Sequence, residues 1–318
     1  MTARPFRPPW WLRNPHLQTL AASVLRPLPR IDLGRERLLL PDGDSLELDW
    51  TRFIPGAPFV IVLHGLEGSA RSRYAAGILK ALSGRGFNAV LMYFRGCGGV
   101  PNRYARGYHA GETEDLTHVV RTLRQRYPGQ CFGAVGYSLG GNVLLKWLGE
   151  TGADNPLDAA VAVSVPFRLA DAAGRIDHGF SKIYQRYLLR KLEASIARKQ
   201  LSGDFPELGP RGRRFASLRD FDDAVTAPLH GFNGVDDYYA RSSSIGFLNG
   251  IARPTLLIHA LDDPFMYPET APTPDELPPA VRLELSPQGG HVGFVSARGS
   301  ERYWLEARIP AWFERTLR

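Results

Sequence analysis

Gly136-Tyr137-Ser138-Leu139-Gly140 decides how this chain is read. An apolar run, Cys131–Val135, leads into it, and a stretch with helical spacing, Asn142–Leu148, leaves it. Strand, tight turn and helix in that order form a nucleophile elbow, which lifts a serine hydroxyl above a sheet and points a helix N-terminus at it. The two glycines answer to crowding: the turn doubles back so tightly that a Cβ at 136 or 140 would strike the strand or the helix. Ser138 is therefore the candidate nucleophile.

Outward from the elbow, strands and helices alternate. Leu38–Leu40, a Pro-Asp-Gly-Asp turn and Ser45–Thr51 read as an antiparallel hairpin. Phe59–Leu63 reads as a fully apolar strand, Arg71–Ser83 as a helix, Asn88–Phe94 as a strand and Gly111–Tyr127 as a helix with acids first and bases last, as the helix dipole favours. Ala159–Val165 is the next strand; after a break come strands Pro254–Ala260 and Val281–Leu285 and a helix near Glu301–Thr316. Continuous apolar strands between helices predict an α/β fold, with a mostly parallel central sheet covered on both faces. The expected divisions are an N-terminal arm over 1–30, a core over 31–165 and 254–318, and an inserted, largely helical cap over 166–253.

The net charge of +7 is unevenly placed. Arg168–Arg219 holds 12 Lys/Arg against 5 Asp/Glu and so carries the whole excess, while the rest of the chain is balanced. The basicity thus belongs to one segment, and no zinc finger, RNP motif or interleaved basic–aromatic strand points to nucleic acid. No histidine–carboxylate or Cys–Cys spacing suggests a metal, and no phosphate loop a nucleotide, so no cofactor is expected. Two cysteines, no bilayer-length apolar run and no secretory h-region make the cytoplasm the expected location.

A serine hydroxyl needs a base to take its proton and an acid to orient that base. On a sheet carrying this turn the partners follow in the order Ser, Asp/Glu, His, on loops after later strands. Leu261-Asp262-Asp263-Pro264 follows one such strand and Gly289-Gly290-His291-Val292-Gly293 another. His291 is the expected base. Asp263 is preferred as the acid because the following proline restricts it to extended geometry, with Asp262 the alternative. Backbone N–H donors for an oxyanion are expected from Leu139 and from Leu66, in the loop His64-Gly-Leu-Glu-Gly-Ser69. His64 reads as a brace for that loop rather than a second base.

Asn14-Pro-His-Leu-Gln-Thr, His64-Gly-Leu-Glu-Gly-Ser, Phe94-Arg-Gly-Cys-Gly, Tyr108-His-Ala-Gly-Glu-Thr-Glu-Asp-Leu116, Gly136-Tyr-Ser-Leu-Gly-Gly-Asn142, Asp220-Phe-Asp-Asp, Asp262-Asp-Pro-Phe265 and Gly290-His-Val-Gly-Phe294 occur together. In this combination the chain resembles the YheT-like branch of the α/β-hydrolases, related to eukaryotic abhydrolase-domain lipases. The resemblance implies an α/β-hydrolase fold, carboxylesterase or acylglycerol-lipase activity, and a triad of Ser138, Asp263 and His291. Gly99 and Ala110 depart from the serine-type residues expected there.

The expected function is cleavage of a small-molecule ester or lipid-like substrate through an acyl-enzyme. Alternatives on the same scaffold are a weakly active or non-catalytic binding protein, or a thioesterase or amidase. Within the cap, Lys182–Gln200 reads as an amphipathic helix with Ile183, Tyr184, Tyr187, Leu188, Leu192 and Ile196 on one side. Lys182, Arg186, Arg190, Lys191 and Lys199 fall around the rest, either as the solvated face of a lid or as a peripheral contact for anionic membrane. Pro8-Pro9-Trp10-Trp11-Leu12-Arg13 offers the same choice between an arm packed on the body and an interfacial anchor. Oligomeric state is not legible.

Overall fold

The computed structural model describes residues 5–201, 212–297 and 302–318. Glu301, the expected start of the last helix, and 202–211 of the expected cap lie outside these. Eight strands form one sheet: β1 (Gly34–Leu39), β2 (Ser45–Trp50), β3 (Phe59–Leu63), β4 (Asn88–Met92), β5 (Phe132–Tyr137), β6 (Ala159–Val163), β7 (Thr255–Ala260) and β8 (Val281–Ser286). Their spatial order is β1-β2-β4-β3-β5-β6-β7-β8. The hairpin β1–β2 joins β4 antiparallel, and every pairing from β4 to β8 is parallel. β1 is longer than the sequence suggests, since Gly34–Arg37 alternate without an apolar face and are held by register to β2.

Alternate residues of the apolar strands feed two cores. Phe59, Ile61 and Leu63 face one, with the buried residues of two helices that follow α1 (Pro15–Leu20) and α2 (Arg73–Gly84) in the chain: α3 (Glu114–Arg126) and α4 (Leu139–Thr151). Val60 and Val62 face the other, under α2 and the final helix. α3 starts three residues later than expected, and Gly111 ahead of it is pressed against Ser242, where a Cβ would come within 2.5 Å of the hydroxyl.

Between β6 and β7 the chain leaves the sheet and builds α5 (Leu169–Ile176), α6 (Lys182–Leu201), α7 (Leu218–Phe221), a π-helical turn (Asp222–Thr226), α8 (Ala227–Leu229) and α9 (Val235–Ser242). The last helix, α10 (Trp304–Thr316), returns to cover the sheet.

α6 departs from the expected stripe. Tyr184, Leu189 and Leu192 are buried, but Ile183 and Tyr187 are more than half exposed. The basic side is not uniformly solvated either. Lys199 is buried and donates to the carbonyls of Ala105 and Arg106, and Lys191 donates to the Glu67 carbonyl at 3.0 Å. Burial lowers the Lys199 amine to about 8. The arm packs through Leu12 and Gln18 while Trp10 and Trp11 stay outside.

Candidate active site

Ser138 sits at φ 53° and ψ −120°, between the end of β5 and the first residue of α4. A side chain in the left-handed region is costly and persists only where its surroundings dictate it. Here the Ser138 N–H is held by the Val163 carbonyl at 2.9 Å. A Cβ on Gly136 would lie 2.4 Å from the Gly140 carbonyl oxygen, and one on Gly140 would lie 2.5 Å from that of His64, so both glycines are required by contact.

The structure brings the three expected side chains together at the C-terminal ends of the parallel strands. His291 Nε2 lies 3.0 Å from Ser138 Oγ, and its Nδ1 lies 2.8 Å from Asp263 Oδ2. Asp263 is buried, and its other oxygen accepts the Phe265 N–H at 2.9 Å. Asp262 points elsewhere: it accepts the Gly290 N–H at 2.9 Å and braces the histidine loop, while its second oxygen is buried without a partner among the described residues. Burial holds the Asp262 carboxyl above its ordinary range.

In the Leu66 loop the neighbouring N–H groups are engaged. The Gly65 N–H goes to the Tyr74 hydroxyl, the Glu67 N–H to the Tyr108 hydroxyl and the Gly68 N–H to the Gly65 carbonyl. The Leu66 N–H between them has no acceptor among the described residues. Leu139 opens α4, so its N–H has no intrahelical acceptor. Leu66 and Leu139 both line the cavity that opens at Ser138.

His64 is fully buried. Its Nδ1–H donates to the Gly65 carbonyl at 2.7 Å and its Nε2 accepts the Phe94 N–H at 3.2 Å, an arrangement that fixes one neutral tautomer. Burial accordingly depresses the ring to about 4. Glu67, at φ 51°, is tied by the Tyr108 hydroxyl, which accepts from its N–H and donates to its carboxylate at 2.9 Å. Burial raises this carboxyl.

The cavity above Ser138 has a volume of about 740 Å³. Its walls are mainly apolar, with Leu188, Leu192, Phe221 and Val225 from the β6–β7 segment and Phe265 and Met266 from the acid loop. Asp222 is a half-buried exception in that wall, bonded to the Tyr239 and Thr226 hydroxyls, and desolvation raises it to about 6. Val24, Ile183 and Tyr187, all exposed, flank the opening.

The profile described as the alpha/beta hydrolase fold matches residues 58–297. YheT of Escherichia coli (strain K12), provisionally named an esterase, is 45% identical over 94% of this chain and 90% of its own. The chain belongs to the YheT-like branch of the α/β-hydrolase family. Eukaryotic abhydrolase-domain proteins are similar as well: the phospholipase ABHD3 of Mus musculus is 28% identical over 91% of this chain and 73% of its own. Among solved structures, the Pyrococcus furiosus esterase Pf2001 superposes with a TM-score of 0.59 at 19% identity, covering 100% of both chains, a likeness of fold alone.

Sequence reasoning missed several residues now seen around the site. Phe265 stacks on His291, Tyr74 and Tyr108 set the Leu66 loop, Lys191 reaches that loop from α6, and Thr19 accepts the His291 N–H. Phe265, Tyr108 and Thr19 lie inside motifs that stand out in the sequence, but no periodicity or spacing gives them a role. Among the described residues no helix is long and apolar enough to cross a membrane.

Proposed function

We propose that this protein is a serine carboxylesterase of lipase type. Ser138 Oγ attacks the ester carbonyl while His291 Nε2 takes its proton, and Asp263 stabilises the imidazolium that forms. The Leu66 and Leu139 N–H groups hold the oxyanion. His291 then protonates the leaving alcohol, and water, activated by the same ring, releases the acid from the acyl-enzyme. The observation that carries the reading is the continuous path from Asp263 through His291 to Ser138, with spacings of 2.8 and 3.0 Å, on the floor of an apolar cavity.

The segment 166–253 acts as the cap, and its apolar wall takes the acyl chain. The volume suits short- to medium-chain acyl groups or a monoacylglycerol, in keeping with relatives named for esterase and phospholipase activity. The opening favours a lipid-presented substrate. Val24, Ile183 and Tyr187 stand exposed beside it, and neither 5–31 nor 178–192, the two segments that flank it, contains an acidic residue. Such a rim suits peripheral contact with an anionic lipid surface.

The deciding experiment is labelling with a fluorophosphonate followed by an ester panel graded by acyl length. Modification of Ser138 with turnover that peaks at one chain length supports the reading. An unlabelled protein inert across the panel overturns it.

A further inference from the structure

The segment Asn14–Thr19 grips the loop that carries His291. Asn14 starts α1 by accepting the His16 and Leu17 N–H groups at 2.9 and 3.2 Å. One turn on, Thr19 Oγ1 donates to the Pro15 carbonyl at 2.8 Å and accepts the N–H of His291 itself at 2.9 Å. Its proton is committed within α1, so its lone pair is aimed at the histidine. Gln18 is completely buried. Its Nε2 donates to the carbonyls of Leu12 and Val295, at 2.9 and 3.0 Å, and its Oε1 accepts the Val295 N–H at 2.8 Å.

The approach is close enough to exclude side chains. A Cβ on Gly290 would come within 2.5 Å of the Pro15 carbonyl oxygen, and one on Gly293 within 2.9 Å of the Gln18 carbonyl.

We infer that Thr19 and Gln18 are positioning residues that hold the His291 imidazole in register with Ser138 and Asp263. The loop needs such a hold. Val292 and Phe294 sit at φ 54° and 44°, a conformation side chains adopt only when their surroundings impose it. On one side the Val292 N–H is fixed by the Ser164 hydroxyl at 3.0 Å; on the other the fixing comes from α1. A ring that must meet two partners tolerates little drift, since a displacement of about 1 Å costs on the order of a hundredfold in rate. The same helix also touches the β6–β7 segment, where His16 Nδ1 lies 3.2 Å from the Tyr184 hydroxyl.

This inference rests on reading His291 as the general base, and its test separates the two. Thr19→Val keeps the shape and removes the acceptor, whereas Thr19→Ser keeps the hydroxyl. Thr19→Val should lower kcat on a soluble ester about tenfold with KM nearly unchanged, and Thr19→Ser should restore it to within about twofold.

A second readout uses no substrate: the low-field proton NMR signal of the His291–Asp263 hydrogen bond. It should be present in the wild type and in Thr19→Ser, and broadened by exchange in Thr19→Val. Should Thr19→Val fail to fold, Gln18→Met, which removes the amide at similar volume, carries the same two measurements. Wild-type kcat and signal in the folded acceptor-less variant overturn the inference, as does an equal loss in Thr19→Ser. A wild type that shows the signal but cleaves no ester sinks the esterase reading and leaves the positioning role standing.

Discussion

The Phe265 ring lies flat on the His291 imidazole, with centroids 3.9 Å apart and planes 6° from parallel. Phe265 stands two residues after Asp263 and donates its N–H to that carboxylate at 2.9 Å. One short loop thus supplies both the partner of Nδ1 and the surface that fixes the ring plane. Phe265→Leu should keep the cavity wall apolar yet lower kcat about tenfold, because the ring gains a rotational freedom that Asp263 alone does not remove. Steady-state kinetics on a short ester checks this; unchanged kcat would show that the acid alone orients the base.

The two adjacent acids should separate cleanly. Asp263→Asn should cost about 10⁴ in kcat by losing the stabilised imidazolium. Asp262→Asn should be mild, since an amide oxygen still accepts the Gly290 N–H. Kinetics in the reverse order would transfer the acid's role to Asp262.

At the elbow, Ser138→Ala should reduce kcat at least about a thousandfold and abolish fluorophosphonate labelling. Ser138→Gly should be equally inactive but more stable than Ser138→Ala by about 1 kcal/mol, because only glycine is at ease at positive φ. Thermal melts of the two variants give the comparison, and equal melting temperatures would mean that the turn is unstrained.

Acid should destabilise the fold through its buried histidines. Burial holds His64 and His259 at about 4 and His109 at about 3, below the 6.5 of an unfolded chain. A base whose folded pKa is depressed gives stability that is full above 6.5 and is lost as pH falls towards 4, by at most about 1.4 kcal/mol per pH unit for each group. Asp222, raised to about 6, works the other way between 3.8 and 6, because the folded state keeps its proton there. Urea midpoints at pH 7 and pH 5 should therefore fall on acidification, and less so in His259→Leu. A midpoint that rises instead would place Asp222 in control.

For the rim, charge reversal at Arg186 and Arg190, both exposed on α6, should weaken vesicle binding and slow cleavage of lipid-presented esters. Each basic residue near an anionic surface contributes about 1 kcal/mol, and the effect should fade with salt. Lys191 must be left intact, since it holds the Glu67 carbonyl. Cleavage of a short soluble ester should be unchanged. Equal co-sedimentation of wild type and variant with anionic vesicles would remove the membrane from the account.

The elbow, the sheet and the chain order of Ser138, Asp263 and His291 were legible because each leaves a local trace: paired glycines, apolar runs, a proline after an acid. Strand ends were less so, as at Ser164, whose φ of 52° ends β6 early without a glycine to announce it. The bracing side chains were hidden for a different reason. Thr19, Tyr74 and Lys191 act on loops 272, 9 and 124 residues away, and such contacts follow from tertiary packing that no local pattern encodes. The expected solvated face of α6 holds at Lys182, Arg186 and Arg190 but not at Lys199, which trades water for two backbone carbonyls.

Gln18 and Val295 are joined by two hydrogen bonds across 277 positions of chain. At translation rates of about 5–20 residues per second, the arm leaves the ribosome roughly 15–55 seconds before the loop it holds. Ser138 itself is made 153 residues before His291, so its turn precedes the proposed proton acceptor. On the proposed mechanism, a half-synthesised chain is a nucleophile without a base. On the same reading, hydrolytic competence waits until Asn14–Thr19 meets the loop that carries His291.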